Sequence, residues 1–186
     1  MKLRELIYVI GEGLTEKYYF QHLKKLKGYS CVVRPRFFSN KNSIYYLEKR
    51  TNELLLADVK VICAFDSDVA QRNKEEKERL NRFINKSKNN KNVLICDSLP
   101  SIEFWFLLHF IKTNKYYPNY NAIRNELRKH IQGYDKTEKF LINDKWIKTL
   151  IDRQNSAVKN AKSLNPKEGS YSNIFKAIEL LEKQLK

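Results

Sequence analysis

Sulfur, glycine and proline are scarce in this chain of 186 residues, which holds three Cys, one Met, five Gly and four Pro. Cys31, Cys63 and Cys96 stand far apart with no CxxC pair. They read as small buried hydrophobes of a reducing compartment, not as a disulfide framework or a zinc site. So little Gly and Pro, beside 42% hydrophobic residues, excludes a disordered or low-complexity chain. Long apolar runs are also lacking. The most apolar stretch, Phe104 to Ile111, falls far short of the roughly 20 residues that span a bilayer. The opening Met1-Lys2-Leu3-Arg4-Glu5 leads into too short a run for a signal peptide, so a cytoplasmic location without membrane is expected. No GxxxxGK[ST] segment occurs, so the chain is not itself a P-loop ATPase.

Acid is the remaining deficit. Against 36 Lys and Arg stand 21 Asp and Glu, giving a formal net charge of +15. Such an imbalance draws polyanions, with nucleic acid (RNA or DNA) as the partner class it suggests. A lysine-rich soluble surface would give the same count, so the charge by itself assigns no function.

The first half alternates apolar runs of strand length with amphipathic runs of helix length. Strands are expected at Leu6 to Ile10, Cys31 to Phe37, Val59 to Phe65 and Val93 to Cys96. Helices are expected at about Thr15 to Leu26, from a Ser43 cap to Leu56, and at Lys74 to Asn85. Pro35 argues that the second strand lies at an edge. The unbroken apolar character of the third argues for burial on both faces. This order predicts an α/β fold with a mainly parallel sheet flanked by helices. Beyond Pro100 the pattern reads as helices only: Ser101 to Ile111, Asn121 to His130, Trp146 to Leu164 and Ile174 to Leu185, with loops at Asn114 to Asn121 and Asn165 to Ser172. The division that follows is an α/β core over 1–111 and a helical extension packed on it over 112–186.

Acids gather where ligands bind in such sheets, beyond the carboxyl ends of strands. Strand one runs into Gly11-Glu12-Gly13-Leu14-Thr15-Glu16, and strand three into Phe65-Asp66-Ser67-Asp68. If these strands are neighbours, four carboxylates meet at one rim. Glu12 between two glycines allows a sharp turn, and Glu16 projects back from the first helical turn. Asp66 and Asp68, two apart, point the same way on extended backbone. Clustered carboxylates repel unless a hard cation lies among them, so Mg²⁺ or Mn²⁺ is the expected cofactor, two ions flanking a phosphodiester. Simpler roles exist for each: Glu16 as a first-turn acid, Asp66 and Asp68 as turn formers. A dinucleotide fingerprint is excluded because Glu16 stands where GxGxxG needs its last glycine.

The segments Glu12-Gly13-Leu14-Thr15-Glu16 with Tyr18-Tyr19-Phe20, Phe65-Asp66-Ser67-Asp68, and Ser101-Ile102-Glu103-Phe104-Trp105-Phe106-Leu107-Leu108-His109-Phe110 resemble, in order, three motifs of RloB-like proteins; Tyr134-Asp135-Lys136 extends the likeness. The resemblance implies a Toprim-like fold, similar to the nuclease domains of the OLD family. It implies a place in anti-phage or abortive-infection loci beside an ABC-type or AAA ATPase partner, and effectors that are nucleases, in one branch of transfer RNA. By that analogy Glu12 and Glu16 serve one metal, Asp66 and Asp68 the other, and Lys136 stabilises charge on the reacting phosphate. A non-catalytic subunit that binds nucleic acid and the ATPase and relays a signal is the rival reading, and a homodimer is left open.

Glu103 is the lone charge in the third motif, with Ser101 placed to cap its helix. Glu103 can be a dipole-favoured acid, a further metal ligand or an orienter of basic side chains. His109 reads either as a satisfied core histidine or as a base, and Trp105 and Trp146 as packing residues.

Overall fold

A computed structural model describes residues 5–34, 43–68 and 74–185. Four strands arise where apolar and β-branched residues run together: β1 (Ile7–Gly11), β2 (Val32–Val33), β3 (Lys60–Asp66) and β4 (Val93–Leu99). Between them lie α1 (Leu14–Lys27), α2 (Ser43–Leu55) and α3 (Lys74–Ser87), and after β4 come α4 (Glu103–Leu107), α5 (Tyr120–Leu127), α6 (Glu138–Leu141), α7 (Lys145–Ile151) and α8 (Gln154–Lys162). The chain then forms β5 (Tyr171–Ser172) and α9 (Ile174–Glu182).

The sheet order is β2-β1-β3-β4-β5, with β1 parallel to β2 and β3, and β3 parallel to β4. The architecture is therefore the expected α/β one, with β1 and β3 side by side. β3 is central, and its interior side chains are buried on both faces. Pro35 and the predicted end of strand two lie outside the described residues.

Three expectations change. The second half is not helical throughout, because β5 pairs antiparallel with β4 through Ser98–Ser172 and Leu99–Tyr171. Polar residues at 170–173 look like loop, yet Ser172 Oγ meets Ser98 Oγ at 2.8 Å and Asn173 N donates to the Asp97 carbonyl at 2.8 Å. Strand β4 is correspondingly longer than its apolar part, since Asp97 and Ser98 are held by side-chain partners. The helix of the third motif spans Glu103–Leu107 and gives way to turns before Ile111. In α9, Ile174, Ile178 and Leu181 are buried but Leu185 is 47% exposed, past the helix end.

Alternation along the strands sorts the core into two layers. Ile7, Val9, Ile62, Ala64 and Cys96 face α1, α4 and the helices that follow; Ile10, Val61, Cys63 and Phe65 face α2 and α3. Phe104, Trp105, Phe106, Leu107 and Leu108 are entirely buried in the first layer. Each large side chain so enclosed contributes roughly 1.5–3 kcal/mol. Trp105 Nε1 donates to Tyr19 Oη at 2.6 Å, which ties α4 to α1 without an orphaned donor. The later helices are tied to α1 as well: Tyr18 donates to Glu138 at 2.5 Å and His22 Nε2 donates to the Leu141 carbonyl at 2.8 Å.

Gly11 sets how close α1 comes to the sheet. Its backbone needs no left-handed angle; it needs space, because a Cβ there would lie 2.6 Å from Glu16 Cβ. Gly11→Ala should therefore displace the first turn of α1 and lower stability by about 1–3 kcal/mol, read as a fall in the urea midpoint. An unchanged midpoint would show that the helix shifts at no cost.

Candidate functional site

The chain leaves β1 toward β2 on one side and returns to β3 on the other, so a crevice opens between the carboxyl ends of β1 and β3. Glu12 follows β1 directly, one step beyond the Gly11–Ala64 pair, and Asp66 ends β3 two steps beyond it. Asp66 shares the strand parity of Ile62 and Ala64, which turns it toward α1 and α4. Its Oδ1 accepts from Ile102 N at 2.8 Å, satisfying an amide at the entry to α4. Glu16 reaches back from α1, and its Oε2 accepts from Gly13 N at 3.0 Å. Glu12 Oε2 lies 3.4 Å from Asp66 N.

Glu103 is fully buried and accepts three hydrogen bonds: from Ser101 Oγ at 2.6 Å, Tyr134 Oη at 3.1 Å and Lys136 Nζ at 3.2 Å. Ser101 therefore serves Glu103 and not a helix amide, a correction to its expected capping role. Lys136 comes from the loop before α6, stands 4.2 Å from the Tyr120 ring centroid, and keeps its side chain 35% exposed. The fold thus brings Glu12, Glu16, Asp66, Glu103 and Lys136 to one rim. Asp68 stands two residues past Asp66, half-buried, where the chain has left the extended geometry of β3. The expectation that Asp66 and Asp68 point alike on extended backbone fails for that reason, since the bend at Ser67 intervenes.

Crowding shows in the proton affinities. Burial pushes Glu16 up to about 7, opposed by backbone hydrogen bonding and Lys136 and reinforced by Glu103 and Glu12. Burial, then the Glu16 charge, pushes Asp66 well above the carboxylate range. Burial works against the Lys136 charge, but Glu103, Asp66 and Glu16 outweigh it and raise its pKa. The donors fit a hard divalent ion in kind: all are carboxylate oxygens, and an added cation would favour the ionised forms that burial, and then the neighbouring acids, oppose on Glu16 and Asp66. Among the described residues no three Asp, Glu, His or Cys side chains already form a metal cage. Lys136 is the counter-charge in place.

His109 is 3% exposed, and its Nδ1 donates to the Trp105 carbonyl at 2.9 Å. Burial lowers its pKa to about 4, so it is a neutral core histidine at physiological pH. The cysteines are buried and free, as expected, and burial raises the Cys63 thiol to about 12.

Sequence reasoning missed Asp97. Its carboxylate accepts from Tyr171 Oη at 2.6 Å, Asn173 Nδ2 at 2.8 Å and Ser67 Oγ at 3.2 Å. It fastens β5 to the loop after β3, one residue from Asp66. The available signal was an acid set inside an otherwise apolar strand, followed by Ser98 and Leu99.

A family profile described as RloB-like protein matches residues 7–181. No curated protein and no solved structure matches the chain. No helix among the described residues is long and apolar enough to cross a membrane.

The raised pKa of Glu16 has a consequence for stability. The folded chain keeps that proton to pH about 7, whereas the unfolded chain releases it near 4.5, so the native state binds more protons between these values. Stability should therefore fall as pH rises through this window in chelator. Glu16→Gln, which cannot ionise, should gain urea midpoint relative to the parent at pH 8 and lose that advantage by pH 4. A pH-independent difference would refute the assignment.

Proposed function

The chain belongs to the RloB-like protein family, and from that premise we propose that it is a Toprim-type metal-dependent nuclease. Its reaction is phosphodiester hydrolysis, with transfer RNA as one candidate polymer, in an anti-phage abortive-infection system. The observation that carries the reading is the buried carboxylate cluster at the β1–β3 crevice, charge-starved enough to hold protons near neutrality and joined by one lysine.

Glu12, Glu16, Asp66 and Asp68 are the residues that would hold Mg²⁺ or Mn²⁺, with Glu103 adjoining them. When bound, such an ion supplies Lewis acidity toward the phosphoryl oxygens and acidifies water. Glu12, half-buried just past β1, would accept the proton of the attacking water. Lys136, reachable from solvent and steered by Glu103, supplies positive charge where the phosphate becomes more negative. Tyr134 donates to Glu103 and keeps it oriented toward Lys136. The net charge of +15 favours a polyanionic substrate and an electrostatic, salt-sensitive encounter.

The second reading, a non-catalytic subunit that binds nucleic acid and a partner ATPase, is favoured by the ion pair that Lys136 already makes with Glu103. One experiment separates the two. The protein is incubated with total transfer RNA or plasmid DNA, in Mg²⁺, Mn²⁺ or chelator, beside Asp66→Asn and Lys136→Met. Asp66→Asn keeps an oxygen for the Ile102 amide, so folding is spared. Metal-dependent cleavage should drop about 100-fold or more in either variant, with binding to nucleic acid retained. Absence of cleavage by protein that still binds metal, with and without its ATPase, would leave the signalling subunit as the better account.

A further inference from the structure

A cavity of about 500 Å³ opens between the turn at 130–132 and helices α6 and α7, and no residue of the carboxylate rim lines it. That volume falls within the range of small-molecule sites, roughly 300–1,000 Å³. Phe140, Trp146 and His130 line it beside Gln132 and Asn143, with the exposed Lys139 and Lys145; Phe140 is half-buried and Trp146 only 3% exposed. No acid lines it. Neither lysine has an ion-pair partner among the described residues, and Gln132 makes no hydrogen bond there. Asn143 Oδ1 accepts from Lys145 N at 2.9 Å, which leaves its amide protons available. His130 is exposed, with one ring face stacked on Phe110 at 4.7 Å.

We propose that this cavity binds one unstacked nucleobase of a single-stranded or looped nucleic acid, beside the nucleotide held at the carboxylate rim. Aromatic faces stack any base, the amides can donate to or accept from a base edge, and the two lysines match the flanking phosphates. A phosphate alone would leave the rings without a function, and a divalent ion would find no oxygen anion. The rings of Phe140 and Tyr134 stand between the two sites. The Phe140 ring centroid lies 5.4 Å from that of Tyr134, whose hydroxyl donates to Glu103 at 3.1 Å, and Glu103 holds Lys136. Bases inside a duplex are closed to such a pocket, so the assignment also predicts preference for unpaired strands. The inference rests on the proposed action on nucleic acid.

Trp146 lines the cavity and is one of only two tryptophans, the other being wholly buried Trp105. Its fluorescence can therefore be followed as a short single-stranded RNA or DNA oligonucleotide is added to the full chain in chelator. Saturable quenching is expected, with Kd raised about tenfold by Phe140→Leu, which keeps an apolar side chain but removes the ring. Asn143→Ala, at an exposed position that cannot disturb the core, should weaken binding in the same sense. The matching duplex and an oligonucleotide abasic throughout should bind no better than the parent strand binds to Phe140→Leu. Equal affinity for the abasic strand would overturn the pocket and leave only an anion site. Parent affinity in both variants would overturn it too. Because chelator prevents cleavage, base-dependent binding would stand even if the protein proved inactive, and cleavage without it would sink the pocket alone.

Discussion

Negative charge buried at one strand rim is the constraint on which the rest of this structure depends. Isolated ionised carboxylates are too costly to enclose, so each must be hydrogen-bonded, paired or protonated. The chain uses all three means. Asp66 is hydrogen-bonded by the Ile102 amide, Glu16 by Gly13, and Glu103 by Ser101, Tyr134 and Lys136, while Glu16 and Asp66 also hold their protons more tightly than usual.

Those partners come from distant parts of the chain, which explains why the second half must close on the first. Lys136 and Tyr134 lie more than thirty residues beyond Glu103 in sequence, yet meet it directly. The return is secured by apolar packing around Trp105, Phe106 and Trp146 and by polar ties such as Tyr29 to Glu182 at 2.6 Å. On the other side of Asp66, Asp97 fastens β5 through Tyr171 and Asn173 and reaches Ser67 in the loop itself. The rim is thus held from both flanks by side chains that take no direct part in it.

Much of the fold was legible because it is local. The α/β alternation, the burial of β3 and the place of Glu12 and Asp66 at strand ends follow from apolar period and from the chain's few breaks. What escaped was non-local. β5 has only two residues and a polar composition, and it is a strand because β4 offers it an edge. Asp97 looks like the end of a strand until Tyr171 and Asn173 arrive to satisfy it. Ser101 has the composition of a helix cap, but the buried Glu103 beside it is the stronger acceptor for its hydroxyl.

By itself, the sequence determined the layered sheet, the positive field and the acids available at two strand ends, since backbone period and formal charge are properties of neighbouring residues. Only the tertiary structure decided which acids meet, that Lys136 joins them, that His109 is a neutral core residue, and that Gly11 matters for space and not for its angles. The physical reason is that proton affinity and charge pairing depend on burial and on distance across the fold, and neither can be read along a chain.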